Sequence, residues 1–367
     1  MSKLLPTECF KLNHIDQLRG IAILLVVLIH TYQSQIVHQG ILVPIINFGV
    51  IGVQLFFMLS AYTLCMSMSS KQEKSSLVKF YIRRYFRIAP LYYVGIIIYF
   101  LVSMFPQING RGPLSYSDNY TFFNVACNFL FIHGLIPSAN NNIVPGGWSI
   151  GTEMIFYLIF PFIFAMYQNL KTIRSLLIIP ILLFLFTTII SYLNAYLIGL
   201  KYYEDIFYYY NIINQLPVFI VGISFFHLEK AGWIKSSTIV ALIGFLLTFF
   251  LSFVLFLKLK HNLNLAIFIA SISFCFLFVF LKNMNLQLKF LVRVGQLSFS
   301  IYIFHFLIAY PLISKIVREF PAGTNTTFLF GLSVIITLGL SLIIATLSEK
   351  IIEKPGVSIG KRLNKLI

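Results

Sequence analysis

Ten apolar runs of about twenty residues constrain this chain more than any other feature, because a helix of that length matches the ~30 Å hydrocarbon layer of a bilayer. They fall at approximately 19–37, 47–68, 89–106, 148–168, 174–199, 206–228, 238–257, 264–281, 295–316 and 327–348. Backbone polar groups inside such a layer must be satisfied within the chain, so runs of this kind fold as helices. The expected fold class is an all-α polytopic membrane protein with about ten transmembrane helices. Composition agrees: 367 residues that are 59% hydrophobic and 10% charged exclude an ordinary soluble protein, which carries about 25% charged residues. An eleventh run, TFFNVACNFLFIHGLI at 121–136, is short and holds Asn124, Asn128 and His133. No soluble domain, internal repeat or low-complexity linker interrupts the series, so 1–367 reads as one integral membrane domain.

Charge placement sets the expected topology. The chain carries 27 Lys and Arg against 11 Asp and Glu, a balance that elsewhere suggests nucleic acid. Here the basic residues gather in alternate loops, as they do on the cytoplasmic side of membrane proteins. With ten spans and the N-terminus inside, inner segments hold 21 Lys and Arg and outer segments hold 6. If 121–136 crossed fully, the split would be 14 to 13 and the bias would vanish. Both termini are therefore expected in the cytoplasm, with 121–136 a short re-entrant segment on the outer face. The aromatic cluster YYEDIFYYY at 202–210 then falls at an outer boundary, where tyrosine rings suit the headgroup layer. Prolines 161, 180, 217 and 311 lie inside spans and are expected to kink them. Basic residues precede the first apolar run without a small-residue cleavage site, so that run is expected to be kept as a span. Cys9, Cys65, Cys127 and Cys275 are scattered singly, which indicates neither a zinc site nor a disulfide framework.

Three ionisable residues stand well inside the apolar runs. Arg19 and His30, eleven residues apart, return to within about 20° of one helical face, and ~1.5 Å rise per residue puts His30 about 16 Å deeper. Glu153 follows the start of GGWSIGTEMIFYLIFP by less than two turns, and His305 sits in GQLSFSIYIFHFLI, where Ser298, Tyr302 and His305 recur near helical spacing. Ionisable groups at that depth are costly and mark functional sites by default. Each has a structural alternative as a hydrogen-bonded group between helices, but three in separate helices are more simply explained by one shared site. Ser60, in FFMLSAYT, serves as interhelical glue or as part of that site. Trp148 reads equally as interfacial anchor or sugar wall. Before the third span, FYIRRYFRIAPLYY sets Arg83, Arg84 and Arg87 at helical spacing. Guanidiniums can grip phosphate through paired hydrogen bonds, and the structural alternative is an anchor on anionic lipid.

The ordered set IDQLRGIAILLVVLIH, FFMLSAYTL, RRYFRIAPLYY, WSIGTEMIFYLIFP, LSFSIYIFHFLI and the late Glu353-Lys354-Pro355 resembles the acyltransferase-3 family of membrane O-acyltransferases, from about residue 14 to 356. The resemblance implies transfer of an acyl group, usually acetyl from acetyl-CoA, to hydroxyls of extracytoplasmic glycans. It maps the family's arginine–histidine element onto Arg19 and His30, its paired arginines onto Arg84 and Arg87, and its tryptophan–serine–glutamate element onto Trp148, Ser149 and Glu153. Ala61, Gly151, Thr152 and Met154 depart from the common pattern and leave Glu153 as the sole carboxylate of its motif. The esterase-like domain fused to some members has no counterpart, so the membrane part is expected to act alone or with a separate partner, in a bacterial inner membrane.

On that expectation His30, Glu153 and His305 are catalytic, and Arg19, Arg84 and Arg87 hold the acyl-CoA donor. Trp148, Ser149, Ser60 and Tyr302 bind substrate. His30 acts as general base or transient acyl carrier with Glu153 orienting it, while His305 donates a hydrogen bond to the oxyanion. A thioester is already activated, so neither a metal nor a tightly bound cofactor is called for. Expected partners are acyl-CoA, a glycan acceptor and the bilayer, with no nucleic acid. The rival class is a proton-coupled transporter or flippase using the same buried groups as a relay.

Overall fold

The computed structural model describes residues 13–35, 42–70, 77–105, 120–198, 206–259, 263–321 and 323–367. Cys9, Arg111, Lys201, Lys260, the loop lysines 71 and 74, and residues 202–205 of the aromatic cluster lie outside the described residues. In chain order the helices are α1 (Asn13–Gln33), α2 (Val43–Asn47), α3 (Gly52–Ser70), α4 (Leu77–Ser103), α5 (Phe122–Phe129), α6 (Gly147–Gln168), α7 (Ile173–Ile198), α8 (Ile206–Tyr210) and α9 (Ile212–Lys230). They continue with α10 (Thr238–Lys258), α11 (Leu263–Met284), α12 (Lys289–Gln296), α13 (Ser298–Ile308), α14 (Ser314–Glu319), α15 (Thr326–Ser348) and α16 (Lys354–Leu366). Among the described residues ten helical stretches are long and apolar enough to cross a membrane, one for each expected run.

The short eleventh run does not cross. Thr121 caps α5 by accepting from the Asn124 amide. Its eight residues span only about 12 Å, and two single 3₁₀ turns, His133–Leu135 and Pro137–Ala139, follow it. Buried His133 ties this segment to the bundle, its Nε2 lying 3.0 Å from the Gly147 carbonyl and 3.2 Å from the Tyr92 hydroxyl.

Local chemistry sets the other boundaries. Asn211, Ser237 and Asn325 cap α9, α10 and α15 by accepting from amides in the first turn. Gly146 enters α6 with φ +76°, a left-handed conformation that costs a glycine little. Pro161, Pro180 and Pro217 lie inside α6, α7 and α9, and Pro311 falls in a π turn, Ala309–Ile313.

Two of the boundaries that differ from the apolar runs bear on the site. The fourth helix begins at Leu77, so Arg83, Arg84 and Arg87 belong to the helix itself rather than to a loop before it. The last span runs through a second π turn, Glu349–Glu353, into α16. A hydropathy reading ends a span where charge begins, whereas a helix continues as long as its backbone bonds are satisfied.

Packing places α1 at the centre, against α3, α11, α12, α13 and α15. Its Leu18, Ala22 and Ile23 are fully buried. Contact with α12 is close enough that a Cβ on Gly20 would lie 2.4 Å from the Leu291 carbonyl oxygen, and one on Gly295 1.7 Å from that of Asp16. Outward faces are apolar, with Ile239, Leu247 and Phe250 of α10 and Ile335 and Ile343 of α15 exposed, as suits lipid. Cys65, Cys127 and Cys275 are free thiols.

Candidate functional site

A cavity with about 730 Å³ of empty space, part of it open to solvent, lies between α1, α3, α4, α6 and α13; Arg19, Ser60, Arg84, Arg87, Ser149, Glu153 and Tyr302 line it, whereas His30 and His305 do not. Arg19, Arg84 and Arg87 stand at one end, Ser60, Glu153 and Tyr157 in the middle, and Ser149 and Tyr302 at the other. Helical spacing delivers this order: Ser149, Glu153 and Tyr157 recur every four residues on α6, so they stack on one face. Arg84 and Arg87 share a face of α4 for the same reason.

Glu153 is held by two hydroxyls. Ser60 Oγ and Tyr157 OH each donate to Glu153 Oε1 at 2.5 Å, and the two hydroxyls are 3.3 Å apart. Charge-assisted bonds of this length contribute about 1.5–3 kcal/mol each. Tyr157 was not singled out from sequence; its place four residues after Glu153 is the signal that would have found it. Glu153 makes no hydrogen bond with His30 among the described residues, so its role of orienting that ring has no support here.

Beyond Glu153 the cavity is closed by a hydrogen-bonded bar. Ser149 Oγ donates to Tyr302 OH at 2.7 Å, and Tyr302 OH donates to the Gly146 carbonyl at 3.0 Å. Trp148 is 5% exposed and does not line the cavity; it stacks on Tyr210 with ring centroids 4.3 Å apart and meets Phe57 edge-on. It braces Tyr210 from inside rather than lying open as a wall.

One turn past Tyr302, His30 and His305 meet directly, Nδ1 to Nε2 at 2.9 Å. Donor and acceptor counting fixes the protons. His305 Nδ1 faces the carbonyls of Ile301 and Tyr302 at 3.0 and 2.8 Å. A carbonyl only accepts, so His305 Nδ1 carries hydrogen and its Nε2 in the neutral ring accepts. His30 Nδ1–H must then be the donor, which leaves a bare lone pair on His30 Nε2. Phe306 lies against both rings, at centroid distances of 4.3 and 4.2 Å. Both nitrogens of His305 are committed, so it has no hydrogen for an oxyanion. It instead orients His30, the part first expected of Glu153.

The arginines are the least satisfied groups nearby. Among the described residues Arg84 and Arg87 have no carboxylate within ion-pair distance, and buried Arg84 Nε has no hydrogen-bond partner. Arg84 rests over the rings of Phe80 and Tyr157. Arg19 pairs with Asp16 at 3.4 Å, an acid three residues before it that sequence reading passed over.

Comparison with known proteins identifies the family. The model of the acyltransferase-3 family, described as an acyltransferase domain, matches residues 12–346. Among curated relatives, a peptidoglycan O-acetyltransferase, OatA, of Listeria monocytogenes is 33% identical over 179 residues, covering 46% of this chain and 26% of that protein. A putative acetyltransferase of Acidianus two-tailed virus is 29% identical over 149 residues, covering 41% and 40%. The acyltransferase MdmB of Streptomyces mycarofaciens is 27% identical over 183 residues, covering 46% and 43%. The chain thus spans less than half the length of these relatives. No solved structure matches. With the family model covering nearly all of the chain on a frame of ten apolar helices, this integral, multi-pass membrane protein belongs to the acyltransferase-3 family.

Proposed function

We propose that the protein transfers an acyl group, acetyl being the simplest, from acyl-CoA at the arginine end to a hydroxyl of a glycan reaching the histidine end. The observation that carries this reading is one continuous line of polar groups. Arginines without carboxylate partners open into a cavity that leads past Glu153 to the Ser149–Tyr302 bar, and immediately behind it His30 carries a bare Nε2. Orientation follows the basic loops: the arginine end faces the cytoplasm, both termini lie there, and α5 dips from the outer face of a bacterial inner membrane.

In this scheme the donor's phosphates rest on Arg84 and Arg87, with Arg19 at the mouth, and the pantetheine arm enters the cavity. The thioester carbonyl stops at Ser149 and Tyr302, whose hydroxyls, released from each other, supply hydrogen bonds as negative charge develops on its oxygen. His30 Nε2 takes the proton of the acceptor hydroxyl, whose oxygen forms the new C–O bond as the C–S bond breaks. The proton then passes from His30 to the departing thiolate. His305 keeps Nε2 free by holding Nδ1–H. Glu153 fixes Ser60 and Tyr157 along the channel wall, and Trp148 supports the acceptor side through Tyr210. The names of the relatives, two acetyltransferases and an acyltransferase, support the reaction class.

The test supplies acetyl-CoA labelled in the acetyl group to one side of proteoliposomes and soluble peptidoglycan fragments to the other. Label bound to the glycan as an alkali-labile ester is the expected product. Label that crosses or accumulates without esterification would replace the transferase by the transporter class.

A further inference from the structure

A second cavity, an open cleft with about 1210 Å³ of empty space including open solvent, adjoins the first and is not absorbed by the scheme above. Arg84 and Arg87 line both, so the two spaces meet at that pair. One wall of the outer space is α4, bearing Arg83, Arg84 and Arg87, and the adjoining wall is α16, bearing Lys354 and Lys361. The helix α16 lies beyond residue 346, outside the stretch matched by the family model. It is seated tightly: a Cβ on Gly356 would lie 2.8 Å from Pro90 Cγ, and one on Gly360 2.8 Å from Phe86 Cβ.

Of the two carboxylates of this cavity, Glu349 is ion-paired, whereas Glu353 is held only by a hydroxyl. Glu349 pairs with Arg293 at 2.9 Å and with Lys354 at 3.4 Å, and Glu353 accepts from the Ser300 hydroxyl. Lys361 is exposed and, like the three arginines, has no carboxylate partner among the described residues. Arg83 Nε and Arg84 Nε are buried without hydrogen-bond partners. Four cations without ion-pair partners among the described residues, Arg83, Arg84, Arg87 and Lys361, stand on two walls against the one unpaired carboxylate of Glu353, and with buried donors beside them they form a site for a group bearing more than one phosphate. The shared lining by Arg84 and Arg87 favours a soluble nucleotide that carries a further chain over a lipid headgroup, because such a ligand can fill the outer space and extend past that pair into the inner one.

We infer that α16 completes the donor site, with Lys361 and Arg83 binding a phosphate outside the diphosphate held by Arg84 and Arg87, so that the vestibule takes the 3′-phosphorylated nucleotide end of the donor. This rests on the acyl-CoA reading and extends it. A donor lacking the 3′-phosphate then binds more weakly, and Lys361 is the residue that senses the difference.

The probe is adenosine 3′,5′-bisphosphate, titrated against the purified full-length protein in nanodiscs of neutral lipid. The variants are Lys361→Glu and, as control, Arg362→Glu, which alters the same helix without touching the cavity. Reversing one charge beside a phosphate should weaken binding about tenfold, with Arg362→Glu within about twofold of the unaltered chain. Equal affinity in all three proteins, or displacement of the bisphosphate by anionic lipid in the unaltered protein, overturns the inference. Turnover of acetyl-CoA is followed on the same samples. Turnover without Lys361-dependent binding leaves the transferase reading standing and removes α16 from it. Lys361-dependent binding without turnover of any acyl-CoA keeps the nucleotide site and removes the donor assignment.

Discussion

Replacing His305 tests the histidine pair more sharply than replacing His30, because the claim concerns what one ring does to the other. His305→Leu keeps a side chain of similar bulk between Tyr302 and Phe306 but removes the acceptor that holds His30 Nδ1–H at 2.9 Å. A buried donor left without its acceptor costs about 1–3 kcal/mol. His30 escapes that cost by changing tautomer or rotating, and either movement takes the bare nitrogen off the acceptor. At 1.4 kcal/mol per factor of ten, kcat should fall about 5- to 150-fold. The KM for acyl-CoA should stay within about twofold, since the phosphate-binding arginines lie on other helices. His305→Gln offers an amide oxygen near the lost Nε2 and should recover at least half of that loss in logarithmic terms. The assay is initial-rate release of CoA thiol by both variants in liposomes, with folding checked by detergent-resistant gel filtration. A leucine variant with undiminished kcat, or a folded glutamine variant no better than leucine, would refute the reasoning.

Other perturbations separate the parts of the site. Arg84→Ala with Arg87→Ala should raise the KM for acyl-CoA at least tenfold while kcat changes little, measured by thiol release across a donor titration; an unaltered KM would move the phosphate site elsewhere. Glu153→Gln keeps an oxygen for the Ser60 and Tyr157 hydroxyls but loses the charge, so kcat should fall several-fold with CoA binding intact by calorimetry, and full activity would show that fixing those hydroxyls does not need the charge. Gly295→Ala should lower the thermal midpoint or abolish folded protein, because its Cβ would lie 1.7 Å from the Asp16 carbonyl oxygen; an unshifted melting curve would contradict the close α1–α12 packing. Tyr302→Phe breaks the bar at Ser149 and should reduce kcat more than donor affinity, read from the same kinetics.

The sequence exposed this fold readily and the site only in pieces. Membrane helices announce themselves because length and hydropathy are local quantities, so all ten spans were legible, while the short run at 121–136 was set apart by the distribution of basic residues rather than by hydropathy. Arg84 and Arg87 were visible for the same reason, since three-residue spacing fixes a helical face. Pairs that meet across the bundle were not: Ser60 and Glu153 are 93 residues apart, and His30 and His305 are 275 apart. Depth suggested that the buried ionisable groups share a site, but only packing shows that the histidines pair with each other while Glu153 turns to hydroxyls. That pairing changes the chemistry, because it spends the hydrogen on His305 that an oxyanion would have needed. The contribution of α16 was hidden by its composition, since KPGVSIGKRLNKL is too polar to read as a span or as part of its packing. Only Gly356 and Gly360, seated on α4, bring Lys361 beside the arginines.

The central claim is that His30 Nε2 is the base that carries a hydroxyl's proton during transfer from a thioester. The direct measurement is release of free CoA thiol from acetyl-CoA by purified protein in liposomes, with and without glycan acceptor, for the unaltered chain and for His30→Ala. The account predicts release that rises with glycan and falls at least a hundredfold in His30→Ala while CoA binding persists. Glycan-dependent release at an undiminished rate in the folded His30→Ala protein would contradict it.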